Sequence, residues 1–412
     1  MPIARSAGSP AERVLDRRVE VNMQSATPSP SNFDGLKVVE FAQIIAGPMA
    51  GTLLADLGAE VVHVEAPGQG DPCRGMGPRK NDVHLWWKVS GRNKRSVTLD
   101  LRCAEGQAVA RRLAGWADVV IANFRVGTLE RWGLTWDALH AVNPNLIMLQ
   151  VSGHGANTTN RDDPGFGKVG EAMSGAVFVT GFPDGPPVHT GFSHGDSVTA
   201  LMGAYAISAA LYRRNEPDFA GEWIDLALFE TLFRLVEWQV IAFDQVGMVP
   251  VRAGNQLSIA PGVVVNTYLT ADNQWVTVTS ATPRSVTNVA VLLGLPADEF
   301  LTSEQQFDRR RELDDGLREW VGARDIEQCL AEMKACDVVA SRIYSVVDIL
   351  EDQTYRERDD IVTVDDPDLG PVRMQAVIPK LLNRPGRVWR TGPALGEDND
   401  LVYKKYLGVT EG

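Results

Sequence analysis

The sequence predicts an α/β protein: a large Rossmann-like parallel-sheet domain joined to a smaller α+β domain. Three observations carry that reading. From Gly35 onward, apolar strand-like runs alternate with helical stretches, the pattern of a parallel sheet flanked by helices. After Gly247 the pattern changes to two strand-like segments around the turn Ala271-Asp272-Asn273-Gln274, followed by helical runs. At 412 residues the chain also exceeds what one small core can organise.

Residues 1–34 mix arginines with acids and run into SATPSPSN, with no apolar stretch after the arginines. A flexible extension rather than a secretory signal is expected there, and Met23 offers an alternative start. LKVVEFA reads as a buried strand, Gly47–Leu57 as a helix and Glu60–Glu65 as a second strand. A Gly/Pro-rich loop over Ala66–Arg79 leads to a strand at Ser96–Leu101 and a helix over Glu105–Gly115. The strand DVVIANF, a helix ending at Trp132-Gly133 and the strand LIMLQVSGHG come next. Helices are predicted over Ser197–Arg213 and Asp225–Val246. The large domain then takes residues 35–225, a linker helix 226–249 and the small domain 250–350, with helices at Asp308–Val321 and Ile326–Ala335. Residues 351–412 are read as a segment returning to the large domain, with short strand signals from Val362.

Composition narrows the function. Forty basic against 53 acidic residues give a net charge of −13, which argues against a nucleic-acid partner and requires any anionic ligand to find a local basic cluster. Cys73, Cys103, Cys329 and Cys336 show no CxxC spacing, which suits a reducing cytoplasm. The six histidines follow no metal-ligand pattern, so no metal site is expected. The most apolar long stretch, Ile224 to Val246, carries Asp225, Glu230, Arg234, Glu237 and Asp244, so a soluble helix is expected rather than a membrane span. Strand, turn, helix and a second strand ending in Glu65 look like a dinucleotide fingerprint. The GxGxxG is absent, however, and Pro48 stands where backbone amides should face a pyrophosphate.

A more specific pattern is spread along the chain. FAQIIAGPMAGTLLADLGAEVVHVEAPGQGDPCR at 41–74 is followed in order by GRNKRSVTLDL at 91–101, ADVVIANFRVGTLERWGL at 117–134 and LIMLQVSGHG at 146–155. GKVGEAMSGAVFVTGFPDGPPVHTGFSHGDSVTALMGAYA occupies 167–206. Together these resemble the class III CoA-transferases, the family of formyl-CoA transferase and carnitine CoA-transferase, to which the 2-methylacyl-CoA racemases are related. The resemblance is good over residues 35–240 and weak beyond. It implies a transferase moving CoA from an acyl-CoA thioester to a small carboxylic acid, with CoA as substrate and no bound cofactor. It also implies an interlocked homodimer.

Residue by residue, the resemblance points to Asp196 in HGDS as the nucleophile: a carboxylate can attack a thioester carbonyl, forming a mixed anhydride and releasing CoA thiolate. Taken alone, an aspartate there would be a helix cap. Asp184, in Pro-Asp-Gly-Pro-Pro, is read as turn chemistry. CoA contacts are implied at Ile45, Ala46, Leu99, Arg102, Asn123, Phe124, Arg125 and Arg131, and in the loop Pro164–Gly167, including Phe166. Lys94 and Arg95 join Arg102, Arg125 and Arg131 as a set of cations for the CoA phosphates, each singly open to being a solvated surface charge. Trp86-Trp87 is open between a lining for the pantetheine and, more commonly for such a pair, buried or interface aromatics. Phe166 matches the place where the racemases need a histidine, and a phenyl ring moves no proton. Glu171 stands where many transferases carry glutamine. His154 and His194 are open between an acid/base or tuning role and a structural one. Gly254–Gly262 is the nearest counterpart of the family's glycine-rich lid, with two glycines. The alternatives to transfer are epimerisation of a 2-methylacyl-CoA, with Asp196 as one acid/base group, or CoA binding without turnover.

Overall fold

The structure is a computed structural model that describes residues 31–408, apart from 258 and 261. All of the expected flexible extension except residues 31–34 lies outside the described residues.

The described chain divides into two compact units. The larger comprises the described residues up to Ala176, Thr190–Val236 and the described residues from Gln353 onward; the other comprises Val177–His189 and Glu237–Asp352.

Six strands make the sheet of the larger unit: β1 (Lys37–Phe41), β2 (Glu60–Glu65), β3 (Lys94–Thr98), β4 (Val119–Ala122), β5 (Ile147–Ser152) and β6 (Glu222–Ala227). Their order is β3-β2-β1-β4-β5-β6 and every pairing is parallel. β4 (VVIA) and β5 (IMLQVS) read as near-continuous apolar runs because helices cover both faces. One face packs Val38, Val61, Ile121 and Leu149 against Ala50 and Leu54 of α1 (Ala46–Asp56). The other packs Val39, Val62, Val120 and Met148 against Leu113 of α2 (Ala104–Trp116). The chain leaves β1 to one side for β2 and β3, then crosses to the other side for β4. A crevice therefore opens beyond the carboxyl ends of β1 and β4, where ligands bind in open α/β sheets.

Four further helices frame that end of the sheet: α3 (Val126–Trp132), α4 (Gly167–Met173), the 20-residue α5 (His194–Arg213) and α6 (Leu228–Leu235). The single helix expected over Asp225–Val246 is corrected. Residues 222–227 form β6, paired with β5 in register Ile147↔Glu222 to Ser152↔Ala227, and two helices follow, α6 and α7 (Trp238–Val246). The break has a local cause: Ala227 is extended, and the Glu230 carboxylate accepts its N–H at 2.9 Å to start the next helix. Near the C-terminal end, the Asp398 carboxylate accepts from Ser96 N, and Tyr403 donates its hydroxyl to Thr98 O.

The second unit holds a three-stranded antiparallel sheet of β7 (Val264–Leu269), β8 (Trp275–Ser280) and β9 (Ala340–Arg342), with the β7–β8 hairpin at the turn expected from sequence. Helices α8 (Pro283–Leu292), α9 (Arg310–Gly322) and α10 (Ile326–Ala335) close its core around Tyr268, Val276, Leu313 and Leu317. Among the described residues no helix is long and apolar enough to cross a membrane.

Candidate active site

The crevice at the switch point is a cleft of about 200 Å³. Its wall at the end of β1 is the turn Gln43-Ile44-Ile45-Ala46; Asn123-Phe124-Arg125 closes it after β4, and Ser152-Gly153 after β5. Gly165-Phe166-Gly167-Lys168 at the start of α4 and Ser193 and Asp196 at the start of α5 complete it. Seven sequence-predicted residues thus meet in one place: Ile45, Ala46, Asn123, Phe124, Arg125, Phe166 and Asp196.

Asp196 lies in the first turn of α5, two residues beyond the helix start at His194, so it is not the N-cap expected of an isolated aspartate. Burial raises its pKa to about 6; the neighbouring Glu171 carboxylate adds to the rise and the Lys168 ammonium opposes it. The carboxyl group has room because residue 167 is glycine: a Cβ there would stand 2.2 Å from Asp196 Oδ2.

Glu171, buried on α4, accepts the Gly195 N–H at 3.0 Å, next to the nucleophile candidate. Lys168 Nζ donates to both Glu171 oxygens (3.0 and 2.9 Å), to Thr190 O at 3.1 Å and to Phe192 O at 3.0 Å. An ammonium has three N–H donors, so these acceptors occupy it, and Lys168 fastens the segment leading into α5. Sequence reasoning did not single out Lys168; its i,i+3 spacing to Glu171 was the available signal.

Leu99 and Arg102 line a second cleft of about 200 Å³ at the ends of β2 and β3, which shares Gln43 and Phe124 with the first. Arg102 is exposed and held by Asp100, its Nε donating at 2.8 Å. Phe124 packs edge-on against Trp132, ring centres 4.9 Å apart. Arg131 lines neither cleft and donates to Thr128 Oγ1 along its own helix.

Other expectations change. Lys94 is buried, donating to both Glu40 oxygens and to Pro48 O, and Arg95 is spent on Glu60 and Asp398. Neither is a cation for phosphate: both charges are consumed inside the fold. Trp87 is a core side chain, its indole donating to Pro393 O with Arg74 stacked 3.9 Å from its ring centre. Neither it nor Trp86 lines the two clefts. His154 is buried with Nε2 3.5 Å from Pro164 O, and the His194 ring lies tilted against Phe192, ring centres 5.4 Å apart. Asp184 lies in the turn that Gly185 N closes onto Phe182 O.

A model of CoA-transferase family III matches residues 33–399. The succinyl-CoA–D-citramalate CoA-transferase of Chloroflexus aurantiacus is 42% identical over 395 residues, 94% of this chain and 97% of its own. The succinate–glutarate CoA-transferase of Agrobacterium fabrum is 36% identical over 57% of this chain and 60% of its own. Among solved structures, a CAIB/BAIF family protein from Brucella suis superposes with a TM-score of 0.80 at 30% identity, covering 92% of this chain and all of that one. The chain belongs to CoA-transferase family III, and it is an acyl-CoA:carboxylate CoA-transferase.

Proposed function

We propose that Asp196 is the nucleophile and that transfer runs through aspartyl anhydride and aspartyl-CoA intermediates. The observation that carries this is the Asp196 carboxylate in the switch-point cleft, with Gly167 leaving it space. The carboxylate attacks the thioester carbonyl, and the CoA thiolate leaves from the resulting tetrahedral centre. The thiolate then attacks the aspartyl carbonyl of the anhydride, releasing the donor's carboxylate and forming an aspartyl-CoA thioester. An acceptor carboxylate attacks that thioester, giving a new mixed anhydride and free thiolate. Attack of the thiolate on the acceptor's carbonyl yields the new acyl-CoA and restores Asp196. A pKa of about 6 leaves Asp196 mostly ionised at neutral pH.

CoA is assigned to the cleft beside Ile45, Ala46, Asn123, Phe124, Arg125 and Phe166 and to the adjoining one beside Leu99 and Arg102. Arg131 is retained as a contact for the outer phosphate, reached from the exposed face of α3. Arg125 places a cation on the lining of the first cleft, suited to a second carboxylate. Succinyl-CoA as donor and a small dicarboxylate such as D-citramalate as acceptor follow from the Chloroflexus relative's substrates.

A homodimer is part of the proposal. Leu201, Tyr205 and Tyr212 are exposed on α5, and α7 has no buried residue within one chain, although apolar side chains dominate it. Light scattering on the purified protein reads the subunit number, and a monomer would refute this element. A cytoplasmic setting belongs with it, since all four cysteines are thiols.

The decisive experiment is intact mass measurement after incubation with a panel of acyl-CoAs, with peptide mapping after hydroxylamine trapping. A donor-dependent adduct on the Asp196 peptide is expected. The Asp196→Ala protein should bind CoA and lose transfer by about a thousandfold or more. Substantial turnover in well-folded Asp196→Ala protein would exclude the mechanism.

A further inference from the structure

Beneath the cleft lies a group of buried charges that the transfer chemistry does not use. Glu40, His63, Glu65, Asp71 and Lys94 are each at most 3% exposed. His63 spans two acids: its Nδ1 is 2.6 Å from Glu40 Oε2 and its Nε2 3.2 Å from Asp71 Oδ2. Lys94 completes Glu40, and Arg74 completes Glu65, which also accepts from Asp71 N. Each acid has a cationic partner, as buried charge requires.

Glu65 and Asp71 also line the second cleft, and Asp71 reaches the wall of the first through Ile44. Both Asp71 oxygens accept the N–H of Ile44 at 3.0 Å, and Asp71 Oδ1 also accepts from Cys73 N at 2.7 Å. Ile44, which lines the cleft, has φ of 68°, in the left-handed region. A β-branched side chain is disfavoured there, and such strain persists only where surrounding contacts impose it. On the flanking residue, Asn123 Oδ1 accepts from Gln43 N at 2.9 Å and Asn123 Nδ2 donates to Gln43 O at 2.8 Å. Gln43 is thus tied on both sides, and the bonds of Ile44 N run to Asp71.

We propose that Asp71, oriented by the His63 imidazole, is a positioning residue that holds Ile44 in its left-handed conformation and so shapes the wall on which acyl-CoA binds. The inference rests on the reading of this cleft as the acyl-CoA site. Asp71 faces only donors, from Ile44, Cys73 and His63, so it must act purely as an acceptor. An asparagine of the same shape would turn an NH2 group toward one of them. A glycine at 44 would adopt the same φ at little cost.

Two variants test it. Asp71→Asn should weaken CoA binding, read by calorimetry, and raise KM for acyl-CoA by roughly tenfold, with kcat within about threefold of wild type. Adding Ile44→Gly to Asp71→Asn should recover most of the lost affinity, because the turn no longer needs to be forced. A purely structural role for Asp71 predicts no such rescue. If Asp71→Asn does not fold, His63→Gln replaces it in the same pair of measurements, with the same rescue expected. A single variant that binds CoA like wild type, or a double variant no better than the single, overturns the proposal. Wild-type protein that binds no CoA at all removes the functional reading and this inference with it, and the wild-type control separates the two failures.

Discussion

The two sheets of this molecule are built on opposite principles. The three-stranded sheet buries Tyr268, Val276 and Val278 against Val289, Leu313 and Leu317, a core held by apolar contact. The six-stranded sheet has apolar faces too, yet near the carboxyl ends of β1, β2 and the start of β3 it buries Glu40, His63, Glu65 and Lys94. Apolar burial is non-directional: it stabilises a fold but says little about where one carbonyl or amide points. Paired buried charges cost desolvation and return geometry, and here they tie down the turn that lines the cleft. Burial opposes a charge on His63, but hydrogen bonds from its ring to Asp71 and Glu40 outweigh that and raise its pKa to about 9. It is therefore a cation at neutral pH. Gly51 belongs to the same arrangement, since a Cβ on it would stand 1.7 Å from Glu40 Oε1.

That contrast can be broken in several places. Lys94→Met leaves Glu40 buried with one partner fewer, and should cost about 3–5 kcal/mol of stability, measured by denaturant unfolding. A variant as stable as wild type would show the charges to be dispensable. Leu317→Ala in the other unit should cost about 2–5 kcal/mol through a cavity, while transfer activity per folded molecule at permissive temperature stays unchanged. Loss of specific activity in well-folded Leu317→Ala protein would tie that core to catalysis and blur the distinction. Gly167→Val pushes a side chain into the Asp196 carboxylate and should lower kcat by about a hundredfold with little effect on melting temperature. Retained kcat would mean that Asp196 acts from another position.

The smallest effect concerns pH. Since Asp196 must be ionised to attack, and its pKa is raised to about 6, kcat/KM should fall as pH drops through that value. Glu171→Gln keeps an acceptor for Gly195 N but removes a negative charge that raises the pKa. The acid limb should then move to lower pH, though only partway, because burial is the larger cause and remains. An unmoved limb would exclude Glu171 as an electrostatic neighbour of the nucleophile.

Much of the larger sheet was legible because its strands are short apolar runs of β-branched residues set between helical stretches. β6 was not. EWIDLA continues into LFETLFRL with apolar residues at a spacing that either a strand or a helix could use, and only pairing with β5 decides the first six for a strand. In the cleft, residues drawn from five separate segments of sequence meet beside Asp196. Lys94 and Arg95 misled for one reason: a cation in a chain carries no mark of whether a buried acid will consume it.

By itself the sequence determined the alternation that makes a parallel sheet, the family pattern and the aspartate in it, since each depends on residue order and local spacing. Tertiary structure alone decided which charges face ligand and which are buried in pairs, and that Ile44 takes a left-handed backbone under Asp71. Those outcomes depend on contacts that residue order does not announce, as Glu40 shows with His63, 23 positions away, and with Lys94, 54 away. Desolvation gives such contacts their energy only once the fold has closed around them.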